Sequence, residues 1–207
     1  MSAASILDFA AVLVFALTGA LAASRAQLDI VGFAFVASLT AVGGGTVRDV
    51  LLDRDPVFWI GEPLYIGIAV AAAILVFFTA HLMESRYGWL LWLDSFALAV
   101  AVPAGVGLAS EMGQSAPVIL IMGMVTGCLG GLMRDVVCNE VPLVLKQGEL
   151  YATAAFAGAA AAVAADMAGA TAPVALIACA GVTWGLRAGS MRFGWRLPVY
   201  KARPPRR

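Results

Sequence analysis

Seven apolar runs, each long enough to cross a lipid bilayer as a helix, limit what this chain can fold into more than any other feature. They cover residues 5–23, 28–52, 64–82, 89–109, 116–138, 150–167 and 172–189. A membrane-spanning helix needs about 20 residues, and backbone inside lipid must satisfy its own hydrogen bonds. Only 13% of the residues are charged, against about 25% in soluble domains. The alternation typical of barrel strands is absent, so we expect an all-α integral membrane protein with seven transmembrane helices.

Few side chains in the sequence are of the kinds that carry out covalent chemistry or hold a metal. Cys128, Cys138 and Cys179 all lie in apolar runs, and an odd number without paired spacing favours neither disulfides nor a metal site. The single histidine, His81, has no G-x-S-x-G serine motif to work with. We therefore expect a protein that is not an enzyme and that has no cofactor, no tightly bound metal and no nucleic-acid partner.

The distribution of lysine and arginine predicts the orientation in the membrane, because cytoplasmic loops are enriched in both. Arg25, Arg86 and Lys146 fall on one predicted side, whereas Arg54 falls on the other, between two aspartates. The side of the first three also carries a basic C-terminal tail, made of Arg187, Arg192, Arg196, Lys201, Arg203, Arg206 and Arg207. We expect an inner (plasma) membrane protein whose N-terminus lies outside and whose tail binds anionic lipid headgroups in the cytoplasm.

Two glycine-rich motifs carry charges into the ends of apolar runs. The second run contains TAVGGGTVRDVLL at 40–52, and the fifth contains TGCLGGLMRDVVC at 126–138. Shifting the sequence by 86 residues superposes the two motifs and aligns Asp8 with Asp94. The register holds without a gap across three spans, which predicts an internal duplication.

The duplication predicts how the chain is divided. Each copy crosses the membrane three times, so the second copy enters from the opposite side and the two are inverted repeats. The expected divisions are 1–85 and 86–168 for the two three-helix repeats, 169–190 for the seventh helix and 191–207 for the basic tail. Inverted repeats with interrupted helices are a recurring plan for moving solutes across bilayers.

These motifs, together with FALTG, PVFW, NEVPLVL and ELYA, resemble those of the bacterial trimeric intracellular cation (TRIC) channels, a membrane family with a glycine-rich domain. The resemblance covers essentially the whole chain up to the seventh span. It implies a homotrimer of seven-helix protomers, each with its own pore, that conducts monovalent cations, chiefly K⁺ with Na⁺ as a possible second ion. It also implies glycine-centred kinks in spans two and five, although the second motif has only Gly130 and Gly131 where the first has three glycines.

The glycines themselves support two interpretations. Each glycine costs a helix interior about 1 kcal/mol relative to alanine, so Gly43, Gly44 and Gly45 favour bending or local unwinding. Freed carbonyl oxygens there, and at Gly130 and Gly131, would then hold a transient cation. Close packing is the alternative, since small residues let membrane helices approach each other. The charges that follow both motifs favour the kinked, pore-lining interpretation.

Arg48 and Arg134 are the most informative charged residues. An arginine at the centre of a bilayer costs at least about 2.5–3.5 kcal/mol, and such residues usually face a bundle interior or water. Snorkelling to the interface is the alternative, because both lie near the ends of their spans. A fixed positive charge would repel a cation, so a pore-facing arginine needs a carboxylate partner or must act as a movable gate.

The inverted repeat predicts those partners from depth. Asp8 begins span one on the side where span two ends at Arg48, and Asp94 begins span four on the side where span five ends at Arg134. We therefore expect Arg48–Asp8 and Arg134–Asp94 to be ion pairs, or pairs linked by water, along one pathway. Leaving either partner alone in a low-dielectric site would be costly.

Four further carboxylates have weaker assignments. Asp49 and Asp135 follow their arginines directly, and adjacent residues on a helix do not face each other. We expect them to contact another helix or the interface. Glu140 and Glu149, near the exit of span five, would gather cations at a mouth of the pathway or serve as solvated loop charges.

The sequence therefore predicts a cation channel with a pore inside each protomer. The residues expected to line or gate it are Asp8, Gly43, Gly44, Gly45, Arg48, Asp49, Asp94, Gly130, Gly131, Arg134 and Asp135. Field strength and oxygen count would set a modest selectivity, because the TVGYG filter of selective potassium channels is absent. The alternative is a secondary transporter of a small solute or ion, since inverted repeats serve that class equally well.

Overall fold

All regular elements in the described part of the chain are helices, as the sequence predicts. The computed structural model describes residues 3–82, 85–147 and 149–198. The helices are α1 (Ala3–Arg25), α2 (Ile30–Leu51), the short α3 (Phe58–Gly61), α4 (Leu64–Thr79), α5 (Arg86–Glu111), α6 (Ala116–Val137), α7 (Ala152–Met167) and α8 (Ala172–Phe193). Two 3-10 turns follow α4 and α6, at Ala80–Leu82 and Leu143–Leu145. Within these residues seven long helices coincide with the seven apolar runs, and the all-α seven-helix class is confirmed.

The lengths of these helices fit a membrane. Six of the long helices in the described residues are long and apolar enough to cross a bilayer. The seventh, α7, has 16 residues, which span about 24 Å at 1.5 Å per residue. The last helix, α8, runs past the predicted end at residue 189 to Phe193, where Gly194 ends it with a left-handed backbone (φ 69°). The protein is therefore a multi-pass membrane protein.

The two halves of the bundle repeat each other in detail. Adding 86 to the bounds of α2 gives the bounds of α6, and α1 and α4 correspond to α5 and α7. Asp53 and Asn139, at equivalent positions after α2 and α6, both have positive φ, 53° and 54°. A left-handed backbone is uncommon for residues other than glycine, so the duplication extends to single backbone conformations.

Helices α2 and α6 cross through reciprocal contacts. A methyl group added at Gly44 of α2 would overlap the carbonyl oxygen of Thr126 in α6. One added at Gly130 of α6 would overlap the carbonyl oxygen of Thr40 in α2. Contacts exchanged in this way are the mark of a two-fold axis. Because α2 and α6 run in opposite directions through the membrane, the axis lies across the bundle, and the inverted repeats are confirmed.

The packing brings the charged ends of the repeats into the interior. Within each repeat the three long helices pack on one another, and contacts of α1 with α5 and of α2 with α6 join the halves. Helix α8 packs on α5 and α7. Helices α1 and α5 occupy the middle of the bundle, so Asp8 on α1 and Asp94 on α5 are buried beside α2 and α6.

Candidate functional site

The first charged cluster lies at the end of the bundle where α1 begins and α2 ends. Arg48 is fully buried, so its side chain does not snorkel to the interface. It donates from Nη1 and Nη2 to the two oxygens of Asp8, at 2.8 and 3.3 Å, and from Nε to Asp49 at 2.8 Å. Its guanidinium also lies 5.5 Å from the centre of the Phe58 ring. The structure thus contains the predicted Arg48–Asp8 pair in bidentate geometry, which is among the stronger forms of ion pair.

The second cluster repeats this arrangement at the opposite end of the bundle. Arg134 is fully buried; it donates from Nη1 to Asp94 at 2.7 Å and from Nε to Asp135 at 2.8 Å. The predicted Arg134–Asp94 pair is therefore also present. It differs from its counterpart in one respect. Arg134 Nη2 and Asp94 Oδ2 have no hydrogen-bond partner among the described residues, so the second pair is held by a single hydrogen bond.

The expectation for Asp49 and Asp135 was partly wrong. Each carboxylate does bind the arginine directly before it, because the long arginine side chain folds back until its Nε reaches the next residue. The other oxygen of Asp49 accepts from the Phe58 backbone N–H at 2.8 Å, and that of Asp135 from the Leu143 N–H at 2.8 Å. Each aspartate thus ties the following loop to an arginine.

The glycines of the first motif lie inside an unbroken helix. Helix α2 is continuous from Ile30 to Leu51, so the local unwinding expected at Gly43, Gly44 and Gly45 is not present. Added methyl groups would lie 2.7 Å from Met133 Sδ at Gly43 and 2.7 Å from the Phe58 ring at Gly45. The missing side chains make room for neighbouring groups, which is the packing interpretation. A bend in α2 remains a prediction.

Helix α6 is equally continuous through Gly130 and Gly131. A methyl group at Gly131 would lie 3.1 Å from the Tyr151 hydroxyl, 3.5 Å from Asp94 Oδ1 and 3.7 Å from Arg134 Nη2. Three polar groups thus converge on the face of α6 that Gly131 leaves open. The glycine therefore makes space for part of the second cluster.

A cavity connects the first cluster to one end of the bundle. It has a volume of about 720 Å³, and its walls include Asp8, Asp55, Glu62 and Glu111, with Arg54 as the one basic residue among those that line it. A separate small space of about 10 Å³ lies further inward, lined by Asp8, Phe58, Thr40, Gly44, Gly45 and Thr126, among others. Asp8 borders both spaces. The first cluster therefore stands between an acidic vestibule and the crossing of α2 and α6.

A third buried arginine was not predicted from the sequence. Arg187 was assigned to the basic tail, but it lies in α8, is fully buried and donates from Nη1 to Glu149 at 2.7 Å. Its guanidinium lies 5.0 Å from the centre of the Tyr151 ring. Because Arg187 lies near the end of an apolar run, the distribution of lysine and arginine grouped it with the cytoplasmic tail and not with the membrane interior. The glutamate just before the sixth run is the one signal that could have suggested a partner.

Other predicted charges lie nearer the surface. Glu140 pairs with Arg25 at 3.0 Å, and both side chains are about a third exposed. Arg86 donates to the Ser24 hydroxyl at 2.9 Å. Both contacts lie at the end of the bundle that holds the second cluster. Of the predicted tail, Arg192 and Arg196 are exposed, and Lys201, Arg203, Arg206 and Arg207 lie outside the described residues.

Known proteins share this architecture. The family model described as "Glycine transporter" matches the chain twice, over residues 5–81 and 91–167, with the 86-residue offset of the duplication. A UPF0126 membrane protein of Vibrio cholerae is 36% identical over 196 residues, which cover 94% of this chain and 82% of that protein. The UPF0126 inner membrane protein YadS of Escherichia coli is 37% identical over 153 residues, which cover 73% of each chain.

Solved structures agree with the sequence matches. The TRIC trimeric intracellular cation channel orthologue from Rhodobacter sphaeroides superposes with a TM-score of 0.90 and 40% identity, over 94% of this chain and 100% of that one. The present chain is a bacterial member of the TRIC family. A second TRIC structure, from work on the structural basis of conductance through TRIC cation channels, matches with a TM-score of 0.86 and 30% identity over 97% of this chain and 98% of that one. The resemblance found in the motifs is confirmed.

Proposed function

We propose that this TRIC family member is a K⁺-permeable cation channel, with a pathway inside each protomer that runs along α2 and α6. The Rhodobacter sphaeroides relative is described as a cation channel. The observation that carries the proposal is the acidic vestibule lined by Asp8, which also borders a small space at the crossing of the two glycine helices.

The charged clusters are suited to a cation pathway despite their arginines. The second cluster contains one arginine and two aspartates, so it carries one net negative charge when all three groups are ionised. In the first cluster Asp49 also pairs with Arg54 at 3.4 Å, so two arginines balance two aspartates. The arginine charges are thereby masked, and the remaining negative charge of the second cluster attracts cations in a medium of low dielectric constant. A transient cation site near Gly43, Gly44, Gly130 and Gly131 is part of this proposal. Selectivity for K⁺ over Na⁺ would be modest.

The proposal includes the assembly and the orientation. We expect a homotrimer in the inner (plasma) membrane, with the N-terminus outside and the C-terminal tail at anionic headgroups in the cytoplasm. The YadS relative is named an inner membrane protein, and the Rhodobacter sphaeroides relative is described as trimeric. Arg25, Arg86 and Glu140 meet at the end of the bundle that would face the cytoplasm.

The family description supports a second candidate, a carrier of glycine. A zwitterion needs an unoccupied carboxylate and an unoccupied cation side by side. In the first cluster Arg48 and Asp8 bind each other through Nη1 and Nη2 of the guanidinium, which leaves neither group open to a zwitterion. In the second cluster Arg134 Nη2 and Asp94 Oδ2 have no partner among the described residues, but both side chains are fully buried. The geometry therefore favours the channel.

An electrical recording distinguishes the two candidates. Purified protein in a planar bilayer, under asymmetric KCl, should give discrete current steps that reverse near the K⁺ equilibrium potential. Saturable uptake of radiolabelled glycine into proteoliposomes, without such steps, would support the carrier and refute the channel. Reversal near the Cl⁻ potential would also refute it. Protein-free bilayers and vesicles are the controls for both measurements.

A further inference from the structure

The two clusters are not equivalent, although the repeats that build them are. The first pair has two hydrogen bonds and borders the vestibule, and its aspartate retains 7% exposure. The second pair has one hydrogen bond, and both Arg134 and Asp94 are fully buried. The weaker pair is therefore the more completely enclosed one.

Helix α8 supplies two contacts to the segment beside the second cluster. Arg187 binds Glu149 at 2.7 Å, and the hydroxyl oxygen of Ser190, one turn further along α8, accepts from the Leu150 backbone N–H at 3.1 Å. Ser190 in turn donates to the Trp195 carbonyl at 2.9 Å. The first contact holds the Glu149 side chain and the second holds the Leu150 backbone, in the two residues that directly precede Tyr151.

Tyr151 lies between α8 and the second cluster. Its ring lies under the Arg187 guanidinium, and its hydroxyl shares the space beside Gly131 with Asp94 Oδ1 and Arg134 Nη2. The side chain is almost completely buried. The repeat counterpart, Tyr65, makes a different contact: it stacks on Phe9 with ring centres 4.1 Å apart. The arginine-backed tyrosine is thus a feature of the second half alone.

We propose that α8 is a clamp on the second cluster: Arg187, held by Glu149, positions Tyr151 against the Arg134–Asp94 pair and keeps this end of the pathway closed. Arg187 is a positioning residue that acts through the tyrosine ring. A cation over an aromatic face in a desolvated site is a substantial interaction. Glu149 is the accessible member of the clamp, since its side chain is a third exposed and borders a cavity of about 310 Å³. The closing role rests on the proposed channel function, whereas the positioning of Tyr151 does not.

The test replaces the accessible member of the clamp. Glu149→Gln keeps the shape of the side chain and removes its charge. It should raise the open probability about three- to tenfold, in line with the loss of one charged hydrogen bond at a partly exposed site, and leave the unit conductance unchanged. The matched control is Glu140→Gln, which removes an Arg–Glu pair at the same end of the bundle and should change neither quantity. An open probability unchanged by Glu149→Gln would overturn the clamp as a closing device.

Hydrogen exchange provides a readout that needs no current. In Glu149→Gln the peptide that covers residues 149–152 should exchange faster than in the parent protein, and in Glu140→Gln it should not. Unchanged exchange in that peptide would overturn the clamp whatever the currents show. Faster exchange in a protein that conducts no ions would support the positioning of Tyr151 and count against the channel function alone. Ser190→Ala, which removes the second contact, should speed exchange at Leu150 in the same way.

Discussion

At the scale of single residues, the buried arginine of each cluster is shared between two carboxylates. Arg48 binds Asp8 and Asp49, and Arg134 binds Asp94 and Asp135. One carboxylate comes from a different helix and the other from the next residue in the chain. Breaking a buried pair by removing one partner typically costs about 3–5 kcal/mol. Two partners for each arginine mean that loss of one leaves the arginine still paired and not as a bare positive charge.

This sharing predicts the effect of neutralising Asp94. Asp94→Asn should lower the unit K⁺ conductance, because the second cluster loses its net negative charge. Adding Arg134→Gln should recover part of the conductance, since the remaining Asp135 restores one negative charge. The effects should be non-additive, with a coupling within the range of about 0.5–3 kcal/mol seen for contacting residues. Single-channel recording in symmetrical KCl measures both. Asp29→Asn, at a helix N-cap on the surface, is the control, and simple additivity would rule out the partnership.

At the scale of helices, the crossing of α2 and α6 depends on glycine as a contact residue. Gly44 and Gly130 lie directly against the carbonyl oxygens of Thr126 and Thr40. Each of these glycines lowers the intrinsic stability of its helix, but the absence of a side chain allows the two backbones to come into contact. The two threonines also line the small space of about 10 Å³ at this crossing.

Gly44→Ala should therefore destabilise the protein in spite of alanine's higher helix propensity. The new methyl group would overlap backbone that cannot move aside cheaply, and overpacking of this kind costs about 1–3 kcal/mol. Thermal unfolding in mild detergent measures the loss. Gly67→Ala in α4 is the matched control, because nothing lies within 4 Å of a methyl group added there; its midpoint should stay or rise. Equal midpoints for the two variants would contradict the contact role of Gly44.

At the scale of the whole molecule, a duplicated unit is completed by one helix that belongs to neither copy. The two repeats give a symmetrical pair of clusters, and α8 packs on the second repeat through its contacts with α5, α7 and the segment before α7. An odd number of spans also places the two termini on opposite sides of the membrane. The outer surface of α8 carries large exposed apolar side chains, such as Ile177 and Trp184, as expected for a surface in lipid or against another protomer.

The assembly is a prediction at this scale. Mass measurement in mild detergent should give three protomers, because close contact between small-residue helices stabilises association in membranes. The same sample in a denaturing detergent gives the protomer mass as the control. A clean monomer or dimer in mild detergent would contradict the trimer.

The sequence by itself determined the number of helices, their approximate ends, the duplication and the Arg–Asp pairs. Hydropathy depends on residues that are near one another along the chain, so it can be read without knowing the fold. The pairing of Arg48 with Asp8 and of Arg134 with Asp94 could be predicted because an inverted repeat fixes the depth of each group in the membrane. The depth of a residue in the membrane follows from its position along a spanning helix, so it can be inferred from the sequence.

Only the tertiary structure determined which side of each helix meets which neighbour. The burial of Arg187, the use of Gly44 and Gly130 as contacts in continuous helices, and the different bonding of the two clusters all depend on the rotation of helices about their axes. In a chain that is apolar on nearly every face, the hydrophobic pattern does not distinguish a surface in lipid from one in the core. Close packing between helices, which acts over a few ångströms, determines which faces are buried. It therefore also determines where the charged side chains lie.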